Sequence, residues 1–284
     1  MALEKKLTIA DLNKKKAAGE KFAMLTCYDA TMAVLQQQAG VEVILVGDSL
    51  AGPVLGLPDT IGVTLDLSVA LTVAVRRGAP LAFLVADMPF LTYTTPAEAV
   101  HNGGRYMLEA PVDSVKVECD RRHVETVAAM AAAGIPVMAH LGLTPQRVVQ
   151  LGGHKVAGKT AAGAVEVIET AELMVKAGAT ALLLEAVPPE VSQLIARRCP
   201  VPVIGCGAGK GCDWYVVVTH DMLGLTFRKP PKFVRKYADL AEPMRAAFAQ
   251  YVGECHSGAY PGPEHDYPMA DEAKAALAEW AKKN

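Results

Sequence analysis

The chain alternates short apolar runs with longer stretches of mixed polarity. FAMLTC (22–27), VEVILVG (41–47), PLAFLVAD (80–87), DSVKVE (113–118), IPVMAH (135–140), ALLLE (181–185), PVPVIGCGAG (200–209) and WYVVVTHD (214–221) read as strands. Most show no in–out alternation of polarity, the pattern of strands buried on both faces in a parallel sheet. The stretches between them read as helices with recognisable ends. Gly40 closes TMAVLQQQAG, Thr64 caps LDLSVALTVAVRRG, and Thr95-Pro96-Ala97-Glu98 opens a helix with proline in its first turn. RRHVETVAAMAAAG (121–134) and AVEVIETAELMVKAG (164–178) complete the set. Eight strands with intervening helices predict an α/β fold, a (β/α)8 TIM barrel. A charged helical start over about 1–20 and a helical tail over about 232–284 extend it within one domain, 1–284. The loops 50–63 and 141–159 are long, as lids and substrate-contacting loops of barrels are.

Several runs end on ionisable residues. Asp48, Asp87, Lys116 with Glu118, and Glu185 each follow apolar residues, and His140 closes IPVMAH. Strand ends of a barrel open on one face, so these groups are expected in one cleft. Asp48 or Asp87 alone reads more readily as a helix cap or a bond to loop amides. Together with Glu118 they predict an all-oxygen site for Mg2+ or another hard divalent ion, because clustered carboxylates are costly without a shared cation. Lys116 and Glu118 are two apart on one strand and share a face, as an ion pair or as cation ligand and anion stabiliser. Glu185, behind four apolar residues, is the candidate general base or else a salt-bridge partner. His140 is a hydrogen-bonded core residue or a site residue, and Ser49 a substrate donor or a turn cap. The run Gly205-Cys206-Gly207-Ala208-Gly209 resembles a backbone anion cradle, with a tight turn as the alternative.

Composition narrows the classes. Lys plus Arg number 28 and Asp plus Glu 30, so no general attraction to nucleic acid or anionic membrane is expected. The pairs Arg76-Arg77, Arg121-Arg122 and Arg197-Arg198 read as solvated helix faces. No apolar run reaches the ~18–20 residues that span a bilayer, and the first 22 residues lack a signal-peptide core, so a cytoplasmic protein is expected. The six cysteines show neither CxxC pairs nor zinc spacing and read as small buried hydrophobes.

Ordered blocks from about Lys21 to His265 then resemble a known family. VGDSLAGPVLG (46–56), VADMPFLTY (85–93), VKVE (115–118), HLGLTPQ (140–146), LGGHKVAGK (151–159), LLLEAVP (182–188), PVIGCGAG (202–209), THDMLGL (219–225) and PKFVRKYADL (231–240) are similar to ketopantoate hydroxymethyltransferases. The resemblance implies a barrel of the phosphoenolpyruvate/pyruvate superfamily, assembled as a homo-oligomer, a decamer. It implies Mg2+ ligation by Asp48, Asp87 and Glu118. Contacts to a 2-oxoacid would come from Asp48, Ser49, Asp87 and Lys116, with Glu185 as proton acceptor. The implied activity moves a hydroxymethyl group from 5,10-methylenetetrahydrofolate to 3-methyl-2-oxobutanoate. A Mg-dependent carbon–carbon lyase or phosphonopyruvate-type mutase, and a non-catalytic paralogue, are the alternatives. The chain departs from the family pattern at Leu57–Gly62, at Ala70-Leu71, at Cys119-Asp120 and at Asp213-Trp214-Tyr215.

Overall fold

Side chains of a strand alternate between its two faces, and here both faces of most strands are apolar and buried. The computed structural model describes residues 3–153 and 155–284, so His154 of the LGGHKVAGK block and Met1-Ala2 of the N-terminal extension lie outside the described residues. Strands β1 (Ala23–Thr26), β2 (Val43–Val46), β3 (Phe83–Asp87), β4 (Ser114–Glu118), β5 (Val137–Gly142), β6 (Ala181–Glu185), β7 (Val203–Cys206) and β8 (Trp214–Val217) pair in parallel, in chain order. β1 also pairs with β8, which closes the barrel.

The outward set, with Ile44, Val46, Leu84, Ala86, Val115, Val117, Leu182 and Leu184, packs with Val75, Tyr106, Met130, Met174 and Ile195 of the surrounding helices. The inward set, with Val43, Leu45, Phe83, Val85, Met138, Leu183, Ile204, Trp214 and Val216, fills the barrel. Each fully buried side chain of this kind contributes ~1.5–3 kcal/mol of transfer free energy.

Helices α1 (Ile9–Ala18), α2 (Ala30–Gln38), α3 (Leu65–Gly78), α4 (Pro96–Glu109), α5 (Val124–Ala132), α6 (Val148–Leu151), α7 (Ala161–Lys176), α8 (Pro189–Arg198) and α9 (Thr219–Met222) follow the order of the chain. Their starts obey the local chemistry: Thr64 accepts from the Leu67 N–H and Thr95 from the Glu98 N–H. Leu7 and Leu12 join the inward core, so the α1 segment covers the N-terminal end of the barrel. Phe22 stacks on Trp214 there, ring centroids 3.6 Å apart.

Several expectations shift. The connection from β7 to β8 carries only a 3-10 turn, Gly209–Gly211, because too few residues separate the strands for a helix. β5 runs two residues past His140, and β8 stops at Val217, leaving His220 and Asp221 in α9. The loop after β5 contains a 3-10 turn, Pro145–Arg147, and α6. Arg76 is not a solvated face. Its guanidinium donates to Asp113 at 2.6 Å and to the carbonyls of Pro111, Ala79, Pro80 and Ala82. Of the cysteines, Cys206 is half-buried, packed against the inward core where it lines a cavity, and Cys255 is exposed.

Residues 239–284 form a second compact unit, α10 (Ala241–Ser257) and α11 (Asp271–Lys283), with Tyr260 edge-on to Tyr251 and His265 between them. Among the described residues no helix is long and apolar enough to cross a membrane.

Candidate active site

The in–out alternation that fills the barrel also builds its mouth. Phe83 and Val85 point inward, and so does Asp87; Met138 is followed inward by His140, and Leu183 by Glu185. On these three strands an inward position near the C-terminal end is thus polar, one layer above the apolar fill. Register sets Asp87 beside Lys116 and Glu118 beside His140. Asp48, Ser49, Asp87, Lys116, His140 and Glu185 all line one cavity of about 140 Å³. Glu118 does not line it; it is 2 % exposed and lies behind, its carboxylate taking the Gln146 N–H.

The contacts are specific. The Lys116 ammonium stands 2.7 Å from Asp87 Oδ1 and 3.2 Å from His140 Nδ1. His140 Nε2 stands 3.2 Å from Glu185 Oε2, close by but off the line of a good hydrogen bond. Asp87 Oδ2 accepts the Asp48 N–H at 3.0 Å. That approach requires Gly47, because a Cβ there would stand 2.7 Å from Ser49 Oγ and 3.3 Å from Asp87 Oδ2. Tyr28 Oη and Ser49 Oγ share a hydrogen bond of 2.8 Å.

Electrostatics follow from burial. Asp87 is pushed up to about 7, chiefly by loss of water, with Lys116 pulling the other way. Burial also pushes Glu118 well above the usual carboxylate range, with Asp48 adding to the shift. Burial would lower Lys116, but the carboxylates of Asp87, Asp48 and Glu118 outweigh it and the ammonium is held above its ordinary value. His140 is driven well below its ordinary value by burial and then by Lys116, so it is neutral.

The three acids fit a hard divalent ion in donor type and in charge. Their donors are all oxygen, the Asp87 Oδ1 atom lacks a well-aligned hydrogen bond, and one ammonium cannot balance three carboxylates. Among the described residues, no three His, Cys, Asp or Glu groups stand together as a ready-made metal site. Gln146 stands between instead: its Nε2 donates to Asp48 Oδ2 at 2.8 Å while its N–H serves Glu118.

The glycine run after β7 is not an open anion cradle. A Cβ on Gly207, which has φ +67°, would stand 2.5 Å from the Phe233 ring, so that ring already fills the space above it. Phe233 lines the site cavity together with Cys206 and Asp221.

The family profile described as ketopantoate hydroxymethyltransferase matches residues 6–263. The chain belongs to the ketopantoate hydroxymethyltransferase family. Its curated relatives include the 3-methyl-2-oxobutanoate hydroxymethyltransferases of Moorella thermoacetica, 46% identical over 94% of this chain and 100% of that protein, and of Enterococcus faecalis, 44% identical over 96% and 99%. Like those relatives, the chain is a transferase. Among solved structures it resembles phosphoenolpyruvate phosphomutase from Streptomyces platensis subsp. rosaceus, TM-score 0.60 at 16% identity over 98% of both chains. It also resembles a phosphonopyruvate hydrolase complexed with oxalate and Mg++, TM-score 0.59 at 12% identity over 98% of this chain and 97% of that one. At those identities the likeness concerns the fold alone, a closed barrel of parallel strands with surrounding helices. The lyase and mutase alternatives therefore rest on shared architecture only.

Tyr28, Tyr93, Gln146, Asp221 and Phe233 were not singled out from the sequence as site residues. Gln146 closes the block HLGLTPQ, and Asp221 lies in THDMLGL, but nothing in composition or period marks either side chain as turned inward.

Proposed function

We propose that this chain transfers a hydroxymethyl group from 5,10-methylenetetrahydrofolate to 3-methyl-2-oxobutanoate, giving 2-dehydropantoate. The observation that carries the reading is the row Asp87–Lys116–His140–Glu185 across the mouth of a barrel that belongs to this family. Asp48, Asp87 and Glu118 would hold Mg2+ or another hard divalent ion, which when bound polarises the oxoacid's carbonyl.

The chain's own residues supply the remainder. Glu185 lines the cavity with its side chain 19% exposed, which supports it as the group that would take the C3 proton of the oxoacid. His140 steadies it. The Lys116 ammonium has protons only to give, so His140 Nδ1 accepts, and the neutral ring carries its proton on Nε2, facing Glu185. As the C3 proton leaves, negative charge grows on the keto oxygen, and the Lys116 ammonium attracts that charge more strongly than the neutral ketone. The interaction is therefore worth more in the transition state than in the ground state. Ser49 Oγ, oriented by Tyr28, is a hydrogen-bonding group for the carboxylate end. The carbanion then forms the new C–C bond to the one-carbon unit, which the folate supplies at the formaldehyde oxidation level; water provides the hydroxyl oxygen as the C–N bonds to the folate break, and tetrahydrofolate leaves. A homo-oligomer and a cytoplasmic setting belong to the same reading, supported by family membership.

Turnover of 3-methyl-2-oxobutanoate with methylenetetrahydrofolate, with and without EDTA, tests the reading. Solvent exchange of the C3 proton in the absence of folate tests its first half. Turnover that EDTA leaves untouched, or no turnover at all, overturns it.

A further inference from the structure

We propose that Gln146 is a positioning residue, fixing Asp48 and Glu118 in the orientation that takes up a divalent cation. The inference rests on the reading of those two acids as cation ligands. Gln146 is 3% exposed, on the turn Pro145–Arg147 after β5. Its Nε2 donates to Asp48 Oδ2 at 2.8 Å and to the Met88 carbonyl at 3.0 Å. Its Oε1 accepts from the Tyr93 hydroxyl. Its backbone N–H is shared by the two oxygens of Glu118, at 3.2 and 3.3 Å.

A primary amide has two N–H donors, and here both are used. Turning the amide over would set its oxygen against a carboxylate and a carbonyl, two acceptors, so one orientation is forced. A single residue therefore ties together acids that stand 98 and 28 positions away in the chain. The turn that carries it is itself held. The Arg147 guanidinium bonds Asp120 and reaches His123 Nε2 at 3.2 Å, and Asp120 is one of the positions where the chain departs from the family pattern. A group that orients metal-ligating carboxylates is worth roughly 10–100-fold in metal affinity.

The test is titration of the purified full-length chain with Mn2+, followed by electron paramagnetic resonance without substrates. Gln146→Met keeps length and removes both donors. Tyr93→Phe leaves Gln146 in place and removes one hydrogen bond that steadies its amide. The expected result is a Kd for Mn2+ raised about tenfold or more in Gln146→Met, and a few-fold in Tyr93→Phe. The Mg2+ concentration for half-maximal activity should rise in parallel, while kcat at saturating Mg2+ stays within about twofold of wild type. A merely structural role would instead lower Tm, and lower kcat at every Mg2+ concentration, with the Mn2+ Kd unchanged; that outcome overturns the proposal. If Gln146→Met does not fold, the Tyr93→Phe titration decides alone. A wild-type chain that binds no Mn2+ overturns the cation reading and this proposal with it. A wild type that binds, with variants that bind equally well, overturns the positioning role only.

Discussion

The barrel has a closed end and an open end, and each holds an aspartate beside a lysine, half-buried at the closed end and buried at the open end. At the closed end Asp113 accepts from Lys6, from Arg76 at 2.6 Å and from the Leu84 N–H at 2.7 Å. Two cations and an amide serve one carboxylate. At the open end Asp87, Asp48 and Glu118 share one ammonium, Lys116, and Asp87 is pushed up to about 7. The chemistry is alike and the balance is opposite. The closed end is satisfied by the chain's own groups and ties the N-terminal segment to the β3–β4 edge. The open end is left short of positive charge, the condition in which a bound cation finds use. A protein tolerates such a deficit where a ligand makes it good, and the rest of the fold supplies the stability it lacks.

The largest expected effect lies at the open end. Glu185→Gln keeps the shape and removes the base, so kcat should fall about 10²–10⁴-fold with oxoacid and metal binding retained. Deuterium exchange at C3 reads this directly, and undiminished exchange would assign the base elsewhere.

Next come matched substitutions at the two ends. Asp87→Asn should weaken Mg2+ binding by about tenfold or more and lower activity with it, the fold remaining intact. Asp113→Asn should leave Mg2+ affinity alone and cost about 1–3 kcal/mol of stability, since Lys6 and Arg76 lose their carboxylate. Isothermal titration and denaturant melts on both proteins check the pair, and a swap of the two phenotypes would break the distinction between the ends.

A smaller effect concerns pH. The folded chain holds the Asp87 carboxyl at about 7, against its ordinary value of 3.8. Between those values the folded state binds more protons than the unfolded state, so metal-free stability falls as pH rises through the window. Burial shifts Glu118 in the same direction. Without metal, Tm should therefore drop from pH 5 to pH 8, and drop less in Asp87→Asn. Added Mg2+ should raise Tm more at pH 8 than at pH 5, because protons and metal compete for the same oxygens. Equal Mg2+ effects at both pH values would remove Asp87 from the ligand set.

The smallest effect falls on the rim. The Arg228 guanidinium donates to the carbonyls of Leu57 and Pro58, both at 2.9 Å, and so fastens the loop that departs from the family pattern. If loops serve the folate half and strand ends the oxoacid half, Arg228→Ala should raise the apparent KM for methylenetetrahydrofolate a few-fold. Proton exchange on 3-methyl-2-oxobutanoate should stay unchanged. A shift in exchange without a shift in that KM would refute the division of labour.

Much of this is legible in the sequence alone. Eight apolar runs, spaced by helix-length segments with threonine and proline at their starts, led to the barrel, and the closed sheet in chain order agrees. The ionisable strand ends led to Asp48, Asp87, Lys116, Glu118 and Glu185, because only a functional demand puts such residues against an apolar core. Strand limits were less legible: β8 ends at Val217, since the hydrophobic run VVVT does not mark where pairing stops. Arg76 read as solvated because its partner Asp113 is 37 residues away.

By itself the sequence determined the order of elements, their amphipathic faces and the family, because these depend on period, caps and local residue chemistry. Only the tertiary structure decided which charges are neighbours. Glu118 stands behind the cavity and not in its wall, His140 links Lys116 to Glu185, the Phe233 ring covers the glycine run, and Gln146 bridges two acids far from it in the chain. Such pairings depend on strand register and on how one loop folds over the barrel mouth, and neither leaves a periodic trace along the chain.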